Sequence, residues 1–227
     1  MAAPLRLVGR LPWSSNATFV VALESGDQES LAVYKPSAGE RPLWDFAAGT
    51  LHQRELAAYV ISRALVWNQV PESVIRDGPL GPGLVQRFVD HDPDRHLLAL
   101  PDPDELWILR LVVFDAIINN ADRKSGHVLE DSQGRLWAID HGLTFHTEIK
   151  LRTVIWQFAG QPIPPGILAD LAALSEALRG SELAGELRTL LTSDERKALD
   201  RRVRGLLRSG TFPPIPSDRP EIPWPPV

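Results

Sequence analysis

Over the first third of the chain the apolar positions fall in short β-branched runs broken by turn residues. Over the last third they recur at helical spacing. From Ala17 to Pro36 the pattern predicts a β-hairpin. Thr18–Leu23 is apolar and β-branched, Ser25-Gly26-Asp27 is turn chemistry, and Leu31–Lys35 returns, with Pro36 ending the strand. Gly39–Gly49 has no periodicity and reads as a loop. Leu51–Val66 sets Leu51, Leu56, Ala57, Tyr59, Val60 and Leu65 against Arg54, Glu55 and Arg63, which predicts an amphipathic helix. Val70–Val89 reads as two short strands around the Asp77–Gly83 turn. Glu105–Asn119 is apolar nearly all round and is therefore a central helix, and Val128–Glu130 with Leu136–Ile139 forms a second hairpin. Helical segments are expected near residues 151–159, 166–179, 181–191 and 194–208, the last opened by a capping box at Thr192-Ser193-Asp194-Glu195.

Strands gathered before helices predict an α+β protein, two-lobed, with a cleft between the lobes. The expected divisions are a β-rich N-lobe over residues 1–90, a linker over 91–104 and a helical C-lobe over 105–211. The last part, 212–227, holds seven prolines and cannot continue a helix. The linker is marked by a shift in composition, with three prolines and five aspartates between residues 90 and 104.

The 227 residues suffice for a self-sufficient core, and 44% hydrophobic with 23% charged residues is the balance of a globular protein. With no cysteine, a disulfide framework, a cysteine-ligated metal site and a cysteine nucleophile are excluded. A formal charge of −5 argues against wrapping nucleic acid, and no apolar run or leader-like start points to a membrane. A cytoplasmic protein without stable membrane association is expected. Trp44, Trp67, Trp107, Trp137 and Trp156 are assigned to core or lobe packing, and His52, His91, His96 and His146 show no ligand spacing.

The chemistry concentrates in Asn119–His127 and Ala138–Gly142. A multiply charged run follows the most apolar helix, and a hairpin folds the chain back so that His127 and Asp140 can meet beside Asp122. Two potential metal ligands next to a third carboxylate suit a divalent cation and activation of a hydroxyl.

The offsets among Asp122, Lys124, His127 and Asp140 resemble those of the protein-kinase catalytic loop and metal motif. Asn120-Ala121-Asp122-Arg123 and Ile139-Asp140-His141-Gly142-Leu143-Thr144-Phe145 are similar to the bacterial phosphatidylinositol 3-/4-kinase-like proteins. The resemblance implies a two-lobed protein-kinase-like fold with ATP and Mg²⁺ or Mn²⁺ in the cleft. It implies Asp122 as base, Lys124 on the moving phosphoryl group, and Asp140 and His127 as metal ligands. It further implies Lys35 on the α- and β-phosphates, oriented by Glu55, and Ser14-Ser15-Asn16 as a phosphate-covering loop. Gln86, Arg87, Phe88 and Val89 would form the adenine-gripping strand end. Two of the chain's four lysines thus fall where this chemistry needs one.

Two departures stand out. His127 replaces an Asn, which favours softer ions and makes Mn²⁺ the better metal, and Ser14-Ser15-Asn16 holds no glycine. The expected activity is phosphotransfer from ATP to a hydroxyl of a protein, its own included, or of a soluble metabolite. The alternatives are a pseudokinase that binds nucleotide and regulates a partner, and nucleotidyl transfer from the same cleft.

Overall fold

The computed structural model describes residues 4–12, 16–25 and 28–227. A five-stranded antiparallel sheet comes first: β1 (Leu5–Arg10), β2 (Phe19–Ser25), β3 (Gln28–Pro36), β4 (Ser73–Gly78) and β5 (Gly81–Arg87), in the order β1-β2-β3-β5-β4. β1 has no counterpart in the sequence reading; its residues are mostly exposed, so no buried face marks it. Helix α1 (Leu51–Ala64) lies between β3 and β4. Against β3, the Lys35 position pairs with Leu84 and Pro36 with Gly83. A Cβ on Gly83 would land on the Lys35 carbonyl and Pro36 Cα, so the close approach of these strands needs glycine there.

The segment between the sheet and the helical lobe is ordered. It contains β6 (His91–His96) and a 3-10 turn at Leu97–Ala99, and β6 pairs with β7 (Val128–Asp131), which pairs with β8 (Leu136–Ala138). Helix α2 (Glu105–Ile118) is buried along most of its length and carries the middle of the larger core. Helices α3 (Pro165–Ala177), α4 (Ser181–Leu190) and α5 (Ser193–Ser209) pack around it. The capping box of α5 is present, Thr192 and Glu195 bonding each other's backbone amides.

No helix forms over 151–159. The backbone there is committed elsewhere: Arg152 N–H donates to Asn120 O (3.0 Å), Arg123 N–H to Arg152 O (3.1 Å), and Thr153 N–H to Glu221 O (2.9 Å). Long-range partners outcompete local helical ones, and residues 152–154 run beside the 120–123 loop through an isolated parallel bridge between Arg123 and Thr153. Trp44 departs from the packing role expected of it. It is 92% exposed, whereas Trp67 and Trp137 are buried and Trp107 and Trp156 pack on the cores.

The core divides into three clusters of very different size, the smallest being Val89, Leu129 and Trp137 at the three-stranded sheet. Val21, Ala32, Tyr34 and Val85 form a small one beneath the sheet, while Ala57, Ala58, Val60 and Ile61 of α1 join α2–α5 in the large one. The proline-rich tail turns back onto the loop after α2, Ser125 N–H donating to Pro226 O (2.8 Å) and Trp156 Nε1–H to Glu221 O (2.9 Å).

Candidate functional site

The apolar sequence of α2 ends at Asn119, whose left-handed backbone (φ 58°) terminates the helix, a conformation Asn tolerates better than most residues. Its side chain then fastens the facing segment, Nδ2 donating to His146 O (2.9 Å) and Glu148 O (2.6 Å), with Oδ1 accepting from Lys150 N–H (2.8 Å). The next four residues form the loop on which the charged run sits.

Arg123 organises that loop from beneath. Its side chain is 0% exposed and grips Asp115 in two bonds, Nε to Oδ2 (2.8 Å) and Nη2 to Oδ1 (3.0 Å). Nη1 donates to the carbonyls of His127 and Ile139 (3.1 Å each), and Nη2 to His141 Nε2 (2.7 Å). One guanidinium therefore ties the loop to both ends of the β7–β8 hairpin and fixes where Asp140 emerges. Asn120 Nδ2 bonds Asp115 as well (2.9 Å), and Asn120 Oδ1 accepts the Asp122 amide (2.9 Å). Burial drives His141 far below the usual imidazole range, and the adjacent Arg123 acts in the same direction, so its ring is neutral and accepts from Arg123. The sequence reading assigned no role to Asp115, Asn119, Asn120, Arg123 or His141. A signal existed: Asp115 is a lone carboxylate in the apolar run of α2, and a charge buried there needs a partner.

Across the cleft, β3 delivers Lys35 and α1 delivers Glu55. Lys35 Nζ donates to both Glu55 oxygens (2.7 and 2.8 Å) and to Asp140 Oδ1 (3.1 Å). Burial opposes the ammonium charge, yet Asp140 and Glu55 together hold Lys35 above the ordinary lysine value. Lys35 in turn holds Asp140 well below the usual carboxylate range. Burial raises Glu55, and Lys35 pulls it back. Asp140 has a left-handed backbone (φ 60°) that aims its half-exposed carboxylate into the cleft, a conformation costing on the order of 1–3 kcal/mol. The Glu55 end is anchored through α1: Glu40 accepts the Leu51 and His52 amides (3.1 and 3.0 Å), and Arg54 bonds Thr144 O (2.7 Å) and Glu195.

Asp122 is half-buried, with Lys124 Nζ 3.8 Å from its Oδ2. Burial pushes its carboxyl up to about 6, against the pull of Lys124. His127 lies beside Asp140, Nε2 to Oδ2 3.4 Å, and burial pushes its ring down to about 4. Its Nδ1–H donates to Asp122 O (2.9 Å), which leaves the Nε2 lone pair facing a carboxylate oxygen with no proton between them. Two acceptors aimed at one point suit a small divalent cation. Among the described residues no cluster of three His, Asp or Glu donors forms. Two protein donors nevertheless fit Mg²⁺-type sites, which complete their shells with phosphate oxygens and water.

The remaining predicted positions are less gathered. Ser14 and Ser15 lie outside the described residues; Asn16 Oδ1 accepts the Arg41 amide (2.9 Å), tying its loop to the β3–α1 connection. Gln86 is buried with Nε2 on Ser73 Oγ (3.0 Å), and the Arg87 and Phe88 amides are engaged by Glu72 O and Leu31 O. Val89 is buried, its carbonyl accepting from the His91 ring (2.8 Å).

No protein-family model matches the chain. Among solved structures, the chain is similar to the Helicobacter pylori proinflammatory kinase CtkA, with a TM-score of 0.56 and 11% identity over 92% of this chain and 93% of that one. That likeness shows a kinase-like, two-lobed α+β fold. Among curated proteins, Protein Rv2133c of Mycobacterium tuberculosis is 41% identical over 97% of this chain and 91% of its own length. At that identity over nearly all of both chains, this protein belongs to the family of Rv2133c.

Proposed function

We propose that the protein is an ATP-dependent phosphotransferase acting on a hydroxyl, with N-lobe 1–90, connecting segment 91–104, C-lobe 105–211 and tail 212–227. The observation that carries this reading is the meeting of Lys35 from β3, Glu55 from α1 and Asp140 from the turn after β8, with Asp122 near enough for its charge and that of Asp140 to interact. Phosphoryl transfer asks a protein mainly to position groups and neutralise charge. Lys35 holds the α- and β-phosphates, and Glu55 keeps its ammonium aimed at them. Asp140 and His127 would hold Mg²⁺ or Mn²⁺, whose charge offsets that of the phosphates when bound. Asp122 takes the proton of the acceptor hydroxyl, and Lys124 faces the group in transit. Nearby segments, with the adenine against Gln86–Val89 and Asn16 in the loop over the phosphates, complete the nucleotide cleft.

A pseudokinase is the competing reading, favoured by the imidazole at position 127. Purified protein with Mn²⁺ or Mg²⁺ and ATP labelled at the α- or γ-phosphate separates the readings. Transfer of γ-label to a protein or small-molecule acceptor, lost in Asp122→Ala and Asp140→Ala and stronger with Mn²⁺, is expected. Nucleotide binding without transfer to any acceptor offered would give the pseudokinase reading, and α-label transfer would give nucleotidyl transfer.

A further inference from the structure

A cavity of about 320 Å³ lies between the loop preceding α1, the 143–152 segment and the tail, and one of its lining residues, Arg152, is near enough for its charge to act on Asp122. Its lining includes Trp44, Asp45, Leu143, Lys150, Arg152 and Arg219. Three cations there meet two carboxylates, Asp45 in the lining and Asp218 against Arg219, which leaves one positive charge in excess in a chain whose overall charge is −5. Lys150 is bound to Asp45 (2.9 Å), so that pair is internally balanced. Arg152 supplies the excess, and Arg219 supplies a spare donor. Arg152 uses only Nε, on Ala121 O (2.8 Å), and its two terminal nitrogens have no acceptor among the described residues. Arg219 uses Nη1 on Asp218 (3.1 Å) and leaves Nε buried without a partner.

The cavity is coupled to the catalytic loop by covalent neighbours and hydrogen bonds. Arg152 N–H binds Asn120 O, Arg152 O binds Arg123 N–H, and Leu143 O accepts from Ala121 N–H (2.9 Å). The positive charge of Arg152 also acts on the Asp122 carboxylate. At the rim, the exposed Trp44 ring lies 5.0 Å from Lys150 Nζ and offers an apolar face.

We infer that this cavity is the acceptor subsite and that it takes a small hydroxyl compound bearing a phosphate monoester. The inference rests on the phosphotransferase reading and names its substrate class. A monoester carries about −1.5 to −2 charge near pH 7, so it would be drawn to the uncompensated Arg152 and would give the unpartnered Arg219 Nε an acceptor. Guanidinium forks suit its oxygens. The volume falls at the lower end of small-ligand sites, roughly 300–1,000 Å³, which excludes a folded partner from the cavity itself. With the phosphate on Arg152 and Arg219 and the carbon skeleton against Trp44, a free hydroxyl faces Asp122. In the transfer, that hydroxyl oxygen forms a bond to the γ-phosphorus of ATP. The bond from that phosphorus to the β–γ bridging oxygen breaks, its electron pair leaves with ADP, and the hydroxyl proton passes to Asp122.

The test is calorimetric titration of the full chain, its nucleotide cleft filled with a non-hydrolysable ATP analogue. The probes are glycerol 3-phosphate and inositol 1-phosphate, with glycerol as the neutral control, a phosphatidylinositol-monophosphate vesicle and an acidic peptide. Arg152→Gln and Arg219→Gln are compared with the wild type; Arg219 lies on the tail, so its variant leaves the catalytic loop's bonds intact. At least one soluble phosphate ester should bind, with glycerol silent and affinity falling about tenfold or more in each variant. Equal binding by Arg219→Gln overturns the assignment, as does no soluble probe binding once the analogue is bound. Binding to vesicles or peptide alone overturns the small-molecule source. Loss of analogue binding with the phosphate probes still bound strikes the phosphotransferase reading and leaves the cavity's anion preference standing.

Discussion

Replacing Asp115 with Ala would strand the Arg123 guanidinium in the interior with its only carboxylate partner among the described residues gone. Both side chains are essentially inaccessible, at 0% and 1% exposure, and the pair is bidentate. Removing one member of such a pair costs about 3–5 kcal/mol, because the remaining charge stays desolvated. A domain of this kind holds roughly 5–15 kcal/mol in total. With a urea dependence of about 2 kcal/mol per molar, the unfolding midpoint should fall by about 2 M. Asp194→Ala provides the control. Its partner Lys197 is 3.0 Å away, but both side chains are mostly exposed, so the shift should stay below about 0.5 M. Arg123→Met should be comparably severe, since it leaves the buried Asp115 carboxylate with Asn120 alone among the described residues and removes a donor from the carbonyls of His127 and Ile139. The double variant should cost less than the sum of the singles, with a coupling of about 0.5–3 kcal/mol. An Asp115→Ala midpoint within 0.5 M of the wild type, on the scale of the surface-pair control, or strictly additive singles, would refute the view that this pair anchors the loop.

Lys35→Met should weaken binding of an ATP analogue about tenfold to a hundredfold, measured by titration; undiminished affinity would remove Lys35 from the phosphate site. Val66 holds a left-handed backbone (φ 56°) while 78% exposed, a conformation that suits Asn better than a β-branched residue. Val66→Asn should therefore gain about 1 kcal/mol, seen as a melting midpoint raised by about 2–4 °C, and a lowered midpoint would contradict this. Burial alone would raise Glu40, but bonds from His52 and the first amides of α1 hold it below the ordinary glutamate value. A lowered folded value means that its stabilisation is complete above the unfolded value of about 4.3 and is lost as pH falls through the folded one. Glu40→Gln should flatten the acid limb of stability against pH, and an unchanged limb would show that Glu40 contributes nothing there.

The elements that set their own faces were legible. The β2–β3 hairpin, α1, α2 and the capped α5 follow from alternation, helical spacing and capping chemistry, each local in sequence. The charged loop was legible as well, because its offsets from Lys124 to Asp140 are fixed by one hairpin. What the pattern misstated depends on distant partners. Residues 151–159 have a helical rhythm, but their amides and carbonyls are taken by Asn120, Arg123 and Glu221. Exposed β1 carries no periodicity because only one strand, β2, holds it. Asp115 sits on α2 and Arg123 eight positions later in the loop that follows it, and nothing in a one-dimensional pattern says that an aspartate in an apolar helix faces that particular arginine. Trp44 misleads for the opposite reason: tryptophan is usually buried, and this one is displayed at a cavity rim.

Helix α1 belongs with the largest core cluster, whereas β3 belongs with the small one beneath the five-stranded sheet. Unfolding free energy is therefore distributed unevenly, and the sheet is the part able to open while the helices stay closed. In amide exchange, β2, β3 and β5 should lose protection before α1 and α2 do. Each such opening carries Lys35 away from a Glu55 that stays put. Any ligand that touches Lys35 and Asp140 at once must clasp the two units together, so nucleotide would act as a fastener whose binding energy appears as protection of the sheet.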